Sequence, residues 1–150
     1  SASEKVRYFA GKNFSNDQLS RTLRRLDKYN IINLIYFCIG LPKETFSTFK
    51  LLKKITDKIV NENRYSYVIP PFPYILDPNC LMAIHPNKYG IKPIFKTFQD
   101  YRNMFLPSGT LENVWEKQIG HETTTLSKKD ILTLLIEARE YINASYKSRI

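Results

Sequence analysis

Nine residues, 31–39, read IINLIYFCI, an apolar run broken only by Asn33 and stopped by Gly40. The run does not alternate, is rich in β-branched and aromatic residues, and is bounded by Asn30 and Gly40. That is the pattern of a strand buried on both faces, as in a parallel sheet covered by helices. A sheet of that kind needs a crossover, and the sequence supplies one. A helix is expected from about Glu44 to Asn61, with Phe46, Phe49, Leu52, Ile55 and Ile59 toward the sheet and Lys50, Lys53, Lys54 and Lys58 outward. A second short strand follows over residues 65–69, closed by Pro70 and Pro71, which cannot donate to a ladder. The expected class is therefore α/β with parallel strands.

A helix precedes the run. Ser15 and Gln18 form a capping box, Phe14 is placed to staple onto Leu19, and Leu19, Leu23 and Leu26 recur at helical spacing. The helix should stop near Tyr29 and Asn30, since Asn tolerates a left-handed C-cap. After the second strand, residues 70–87 carry prolines at four of their first nine positions, which predicts an extended, irregular loop. Phe95, Phe98, Tyr101 and Phe105 predict a short amphipathic helix. A last helix starts at Ser127, with Asp130 in the third capping position. Leu126 staples it to Ile131, and Ile131, Leu135, Ala138 and Ile142 form its buried stripe.

The formal charge of +9 over 150 residues invites a nucleic-acid reading. The basic residues are nevertheless spread along the chain with no run of five or six, so solvated helix faces explain them at least as well. Nucleic acid is thus a weak expectation. No segment approaches the ~20 apolar residues of a membrane span, so no membrane association is expected. Two distant cysteines, Cys38 and Cys80, fit a reducing cytoplasm better than a disulfide framework. They cannot form a C-x-x-C pair, and no metal site is expected within the chain. Cys38 reads as a core residue and Cys80 as structural. HETTT, from His121, lacks the second histidine of a zinc-protease helix. His85 and His121 are isolated. Trp115 reads as a core anchor, and Tyr74 as packing or as a residue facing a site from the loop after the last strand.

The order of motifs resembles the second half of a radical S-adenosylmethionine (radical SAM) barrel. In that family a strand-end G-S-E/D stretch is followed by a Lys or Arg, a T/S-x-E/D helix start, an apolar strand and then G-L-P-G-E-T. Ser3 and Glu4 match the strand end, Lys12 the basic position, residues 15–18 the helix start, and Gly40, Leu41, Pro42, Glu44 and Thr45 the loop. Ala2 stands where the pattern has Gly, and Lys43 where it has the loop's second Gly. YVIPPFPYILDPNC resembles the next strand and its Pro-rich loop. IGHETTTLSKKDILTLLIEAREYIN resembles the C-terminal segment of the cobalamin-binding branch, with His121 in place of a Tyr.

The resemblance implies the C-terminal part of a partial (β/α)6 barrel over residues 1–75, followed over 76–150 by an irregular Pro-rich segment and C-terminal helices. It implies S-adenosylmethionine as a cofactor, a 4Fe-4S cluster in the intact enzyme, and cobalamin as a candidate third. The backbone of Ile39, Gly40, Leu41 and Pro42 would pack near the adenine, Lys12 would meet the carboxylate, and Ser3 or Glu4 would approach the ribose or amino group. The C-x-x-x-C-x-x-C cluster motif is not in this sequence, so its ligands would come from an N-terminal remainder of the same enzyme. This chain alone is expected to be inactive. It assigns no catalytic residue and leaves the substrate unknown. Strands without their neighbours would leave an open edge and apolar surface. A rival reading is a free-standing basic α/β module that binds nucleic acid or a protein partner.

Overall fold

The computed structural model describes residues 1–106 and 109–147. A short helix, α1 (Glu4–Phe9), is capped by Ser3, whose hydroxyl accepts from the Val6 amide. The longer α2 (Asn16–Lys28) has the predicted capping box in both directions. Gln18 N donates to Ser15 Oγ at 3.0 Å, and Ser15 N to Gln18 Oε1 at 2.7 Å. Asn30 then turns the chain with φ of 56°, as its type allows.

The apolar run forms β1 (Asn33–Ile35) and β2 (Cys38–Ile39). Across the crossover helix α3 (Phe46–Glu62) they pair in parallel with β3 (Ser66–Val68) and β4 (Phe72–Pro73). The parallel βαβ expectation holds. Two details differ. Asn33 faces Ser66, yet Cys38 faces Phe72, so the second strand takes up one extra residue between Val68 and Phe72. Pro70 and Pro71 sit in that bulge, where no ladder donor is required, and the strand resumes beyond them instead of ending there. Nor is the run buried on both faces. Ile35, Phe37 and Ile39 turn into the core under α3, whereas Leu34 and Tyr36 are 55% and 57% exposed. The ribbon is covered mainly on one side, and its outer face, with Tyr67 and Phe72 beside Leu34 and Tyr36, stays largely exposed, although Tyr146 stacks on Tyr67 at 6.2 Å. Tyr36 and Phe72 stack there at 6.3 Å.

Helix α3 starts later than the sequence predicts, because Glu44 folds back and its carboxylate accepts from Gly40 N at 2.9 Å and Leu41 N at 3.3 Å. Thr45 takes the cap and exchanges hydrogen bonds with Thr48. Phe49, Leu52 and Ile59 are buried as expected. Phe46 is half exposed, and Lys53 turns toward the last helix to pair with Glu137 at 2.6 Å.

The Pro-rich stretch is less irregular than expected. After β4 it forms two single-turn helices, α4 (Leu81–Ile84) and α5 (Pro86–Tyr89). A two-stranded antiparallel ladder that the sequence did not announce joins β5 (Ile91–Pro93) to β6 (His121–Thr123). Between them lie α6 (Phe98–Asn103) and α7 (Leu111–Gln118). The aromatic stripe on α6 is not a buried one: Phe98 and Phe105 are 84% and 72% exposed, while Met104 is buried. Finally α8 (Lys128–Lys147) begins at the Ser127–Asp130 box and buries Ile131, Leu135, Ala138 and Ile142, with Leu134 in addition. It packs along α3, and one core runs from Leu23 through Phe37 and Phe49 to Trp115 and Ile142.

Lys43 sits in the left-handed region with φ of 65°, and its ammonium lies 3.7 Å above the Phe9 ring. A side chain there is strained, and the cation–π contact offsets part of that strain. Lys43→Ala keeps the strain and loses the contact, whereas Lys43→Gly removes both. The glycine variant is expected to be about 1 kcal/mol more stable than the alanine variant in urea unfolding. Coincident midpoints would show that the loop bears no strain at this position.

Candidate functional site

At the C-terminal ends of the two parallel strands, Gly40 and Tyr74 come side by side, with Tyr74 N donating to Ile39 O at 2.7 Å. Next to them a cavity of about 210 Å³ runs between the N-terminal segment and the edge of β1 and β2 that has no partner strand among the described residues. Arg7, Lys12 and Phe14 line it from one side, and Tyr36, Cys38 and Leu41 from the strand and its loop, with Tyr74 closing the end. It is smaller than the ~300–1,000 Å³ usual for small-molecule pockets, with room for part of a nucleoside-sized molecule and not the whole.

Of the residues implied by the resemblance, Lys12 and Leu41 meet at this cavity. Ile39, Gly40 and Pro42 are buried behind it. Gly40 is required by its φ of 98°, and the space its missing Cβ leaves is occupied by Ile131, whose Cδ1 would lie 3.2 Å from such an atom. The close approach at this glycine is thus made by α8. Ser3 and Glu4 lie outside the cavity lining and have structural partners: Ser3 caps α1, and Glu4 Oε1 accepts from Asn16 N at 2.6 Å.

Arg7 was not singled out from the sequence, yet it is the best-held cation in the molecule's N-terminal part. Its Nη1 donates to Ser1 O at 3.1 Å and Ala2 O at 2.9 Å, and its Nη2 to Phe14 O at 3.1 Å and Asn16 Oδ1 at 2.7 Å. The guanidinium also lies 4.6 Å over the Phe14 ring. Burial pushes its pKa down, partly countered by Glu4, but a guanidinium stays charged. With Lys12 it makes the cavity's N-terminal wall cationic. Burial also pushes the Tyr74 phenol up, with the Cys80 and Cys38 thiols adding to the effect, so Tyr74 is neutral at physiological pH. Its hydroxyl points to Met82 Sδ at 3.7 Å. Together these groups offer a cationic end for an anion and flat faces for a ring.

His121 lies behind the cavity, 1% exposed, with Nε2 2.8 Å from Gly40 O. A carbonyl only accepts, so Nε2 carries the proton and Nδ1 is a buried acceptor without a partner. Burial pulls its pKa below the ordinary value, and the Gly40 bond opposes this. A base with a depressed folded pKa contributes its full stability above the unfolded pKa and loses it as the pH falls. Between about pH 6.5 and the folded pKa, each unit should cost up to ~1.4 kcal/mol. Urea midpoints at pH 7.5 and 5.5 should differ more for the parent than for His121→Gln, and equal pH dependence would refute the assignment.

Among the described residues no three His, Cys, Asp or Glu side chains come together to hold a metal, and Cys38 and Cys80 are free thiols. No helix among them is long and apolar enough to cross a membrane. Compared with known proteins, the chain matches no family model, no curated protein and no solved structure.

Proposed function

We propose that this chain supplies one wall of an S-adenosylmethionine pocket in a radical SAM enzyme, the cluster being held by other polypeptide of the same enzyme. The observation that carries the reading is the meeting of Lys12 and Leu41, far apart in sequence, at one cavity beside an edge of the parallel strands that has no partner among the described residues. The left-handed backbone at Lys43, where the family pattern has glycine, supports it as well.

The residues present fit the cofactor in part. Lys12, with Arg7 beside it, is the cationic end for the carboxylate. Tyr36 and Phe14 offer ring faces, and Leu41 an apolar floor, for the adenine. They do not fit the cluster, since a third thiolate is missing and the two cysteines form no metal-holding group. With a reduced cluster held by other polypeptide, S-adenosylmethionine would supply radical chemistry, and Lys12, Leu41 and the ring faces here would hold its charged and adenine ends. What this chain does is bind and orient: Lys12 fixes the charged end, the strand-end loop fixes the ring, and neutral Tyr74 closes the cavity without adding charge. Cobalamin as a further cofactor belongs to the same reading.

Titration with S-adenosylhomocysteine, followed by saturation-transfer NMR on the ligand, tests it. Binding in the millimolar range is expected, weakened at least about fivefold by Lys12→Ala, roughly the ~1 kcal/mol of an exposed charge pair. No transfer to the adenine protons, or binding indifferent to Lys12→Ala, would overturn the proposal. Tighter binding of a random oligonucleotide that falls steeply with salt would favour the basic module instead.

A further inference from the structure

His121 lines no part of the cavity, yet it touches both strand ends that do. Its Nε2 donates to Gly40 O at 2.8 Å, one residue before Leu41. Its ring meets that of Tyr74 edge to face, with centroids 5.8 Å apart and planes at 88°. Four residues on, Thr125 Oγ1 donates to Glu44 O at 2.6 Å, at the other end of the same loop. We infer that His121 is a positioning residue for the cavity, and that with Thr125 it lets the C-terminal segment set the geometry of the loop over residues 40–44. The inference rests on the proposed pocket for its functional meaning, though not for its structural content.

Three features favour this over a histidine that merely fills the core. First, only one of the ring's two nitrogens has a partner, and that partner is the loop's Gly40 O, which a hydrophobic residue of the same volume would leave buried and unpaired. The histidine's one polar contact is therefore with the loop and not with the core. Second, the loop it holds turns at Gly40, φ 98°, and departs from relaxed backbone at Lys43, a side-chain-bearing residue at φ 65°. Such a loop keeps one conformation only if outside contacts determine it. Third, the loop's internal tie, the Glu44 carboxylate on the Gly40 and Leu41 amides, engages N–H groups alone. The carbonyls of Gly40 and Glu44 are left for the C-terminal segment, and His121 and Thr125 take one each. A ring that donates on one edge and packs Tyr74 beside it serves both walls at once.

Amide hydrogen exchange and ligand titration, run on the same variants, test the inference. His121→Ala should speed exchange at Gly40 and Leu41 about tenfold beyond any change at Leu134, which reports opening of the core, and should weaken S-adenosylhomocysteine by a similar factor. His121→Gln, which keeps an N–H donor, should recover most of the protection, and His121→Phe, which keeps a ring alone, should not. Thr125→Val, at the exposed end, gives the same local signature in a milder form if the alanine variant does not fold. Exchange at Gly40 and Leu41 that moves only in step with Leu134, or rescue by Phe and not Gln, would overturn the positioning role. If the parent chain binds no S-adenosylhomocysteine, the proposed pocket falls, and the exchange comparison still decides whether His121 holds the loop.

Discussion

Gly120→Ala is expected to lower stability by about 3 kcal/mol, the upper end for an overpacked site. A methyl at this position would sit 2.4 Å from Phe95 Cδ2 and 2.8 Å from Cγ, well inside contact distance. The ring cannot simply swing away. The Ile94 and Phe95 amides both donate to Gly120 O, at 2.9 and 3.0 Å, so the clashing backbones are tied to each other. Tyr101 also packs against the ring edge to face, at 5.3 Å. Because Gly120 directly precedes His121, the strain would pass into the residue that holds Gly40. Urea unfolding of Gly120→Ala, Phe95→Ala and the double variant checks this. The double variant should recover at least ~1 kcal/mol relative to the sum of the single effects, as neighbours in contact do. Additive losses would mean that the glycine is not there to admit the ring.

The second large effect is expected at Arg7. Arg7→Lys keeps the charge and most of the stem, and still should cost about 2 kcal/mol, because an ammonium cannot serve four acceptors spread over Ser1, Ala2, Phe14 and Asn16. The lost contacts tie the start of the chain to the start of α2, the two pieces that carry Lys12 between them. A lower urea midpoint together with weaker S-adenosylhomocysteine binding is therefore expected, in spite of the unchanged net charge. If the fork is incidental and only a positive charge matters, Arg7→Lys will unfold at the parent's midpoint.

The parts of the fold that could be read from sequence are those decided within a few residues. Ser15 with Gln18 and Ser127 with Asp130 are local bargains between a side chain and the first turn of a helix, and both hold in three dimensions. The parallel pairing also follows from the apolar run and the helix after it. Burial on both faces does not, since Leu34 and Tyr36 are apolar whether or not a layer covers them. The Pro70–Pro71 pair was legible as a break in hydrogen bonding, but whether a strand ends or bulges there depends on the register of its partner. Phe98 and Phe105 have helical spacing and no surface to bury against. The β5–β6 ladder is three residues long and pairs segments that are distant in sequence, leaving little pattern to find.

At the site, the same division applies. Lys12 and Leu41 were reached through resemblance, while Arg7 carries no local sign of its burial, as cations are mostly at surfaces. His121 is visible in the sequence as an isolated histidine that stands where the resembling segment has a Tyr. Its meaning comes from a contact with Gly40, 81 residues away.

Helix α8 fills the space that Gly40 leaves open, through Ile131. That ordering has a temporal cost during synthesis. At roughly 5–20 residues per second, on the order of ten seconds separate the emergence of the strand end from that of the helix that backs it. Through that interval α3 alone is available to cover the ribbon's apolar inner face, and the side of Gly40 that Ile131 backs stays bare. A ribosome-bound chain halted before Ile131 should accordingly recruit holdase chaperones more strongly than one released a few turns later.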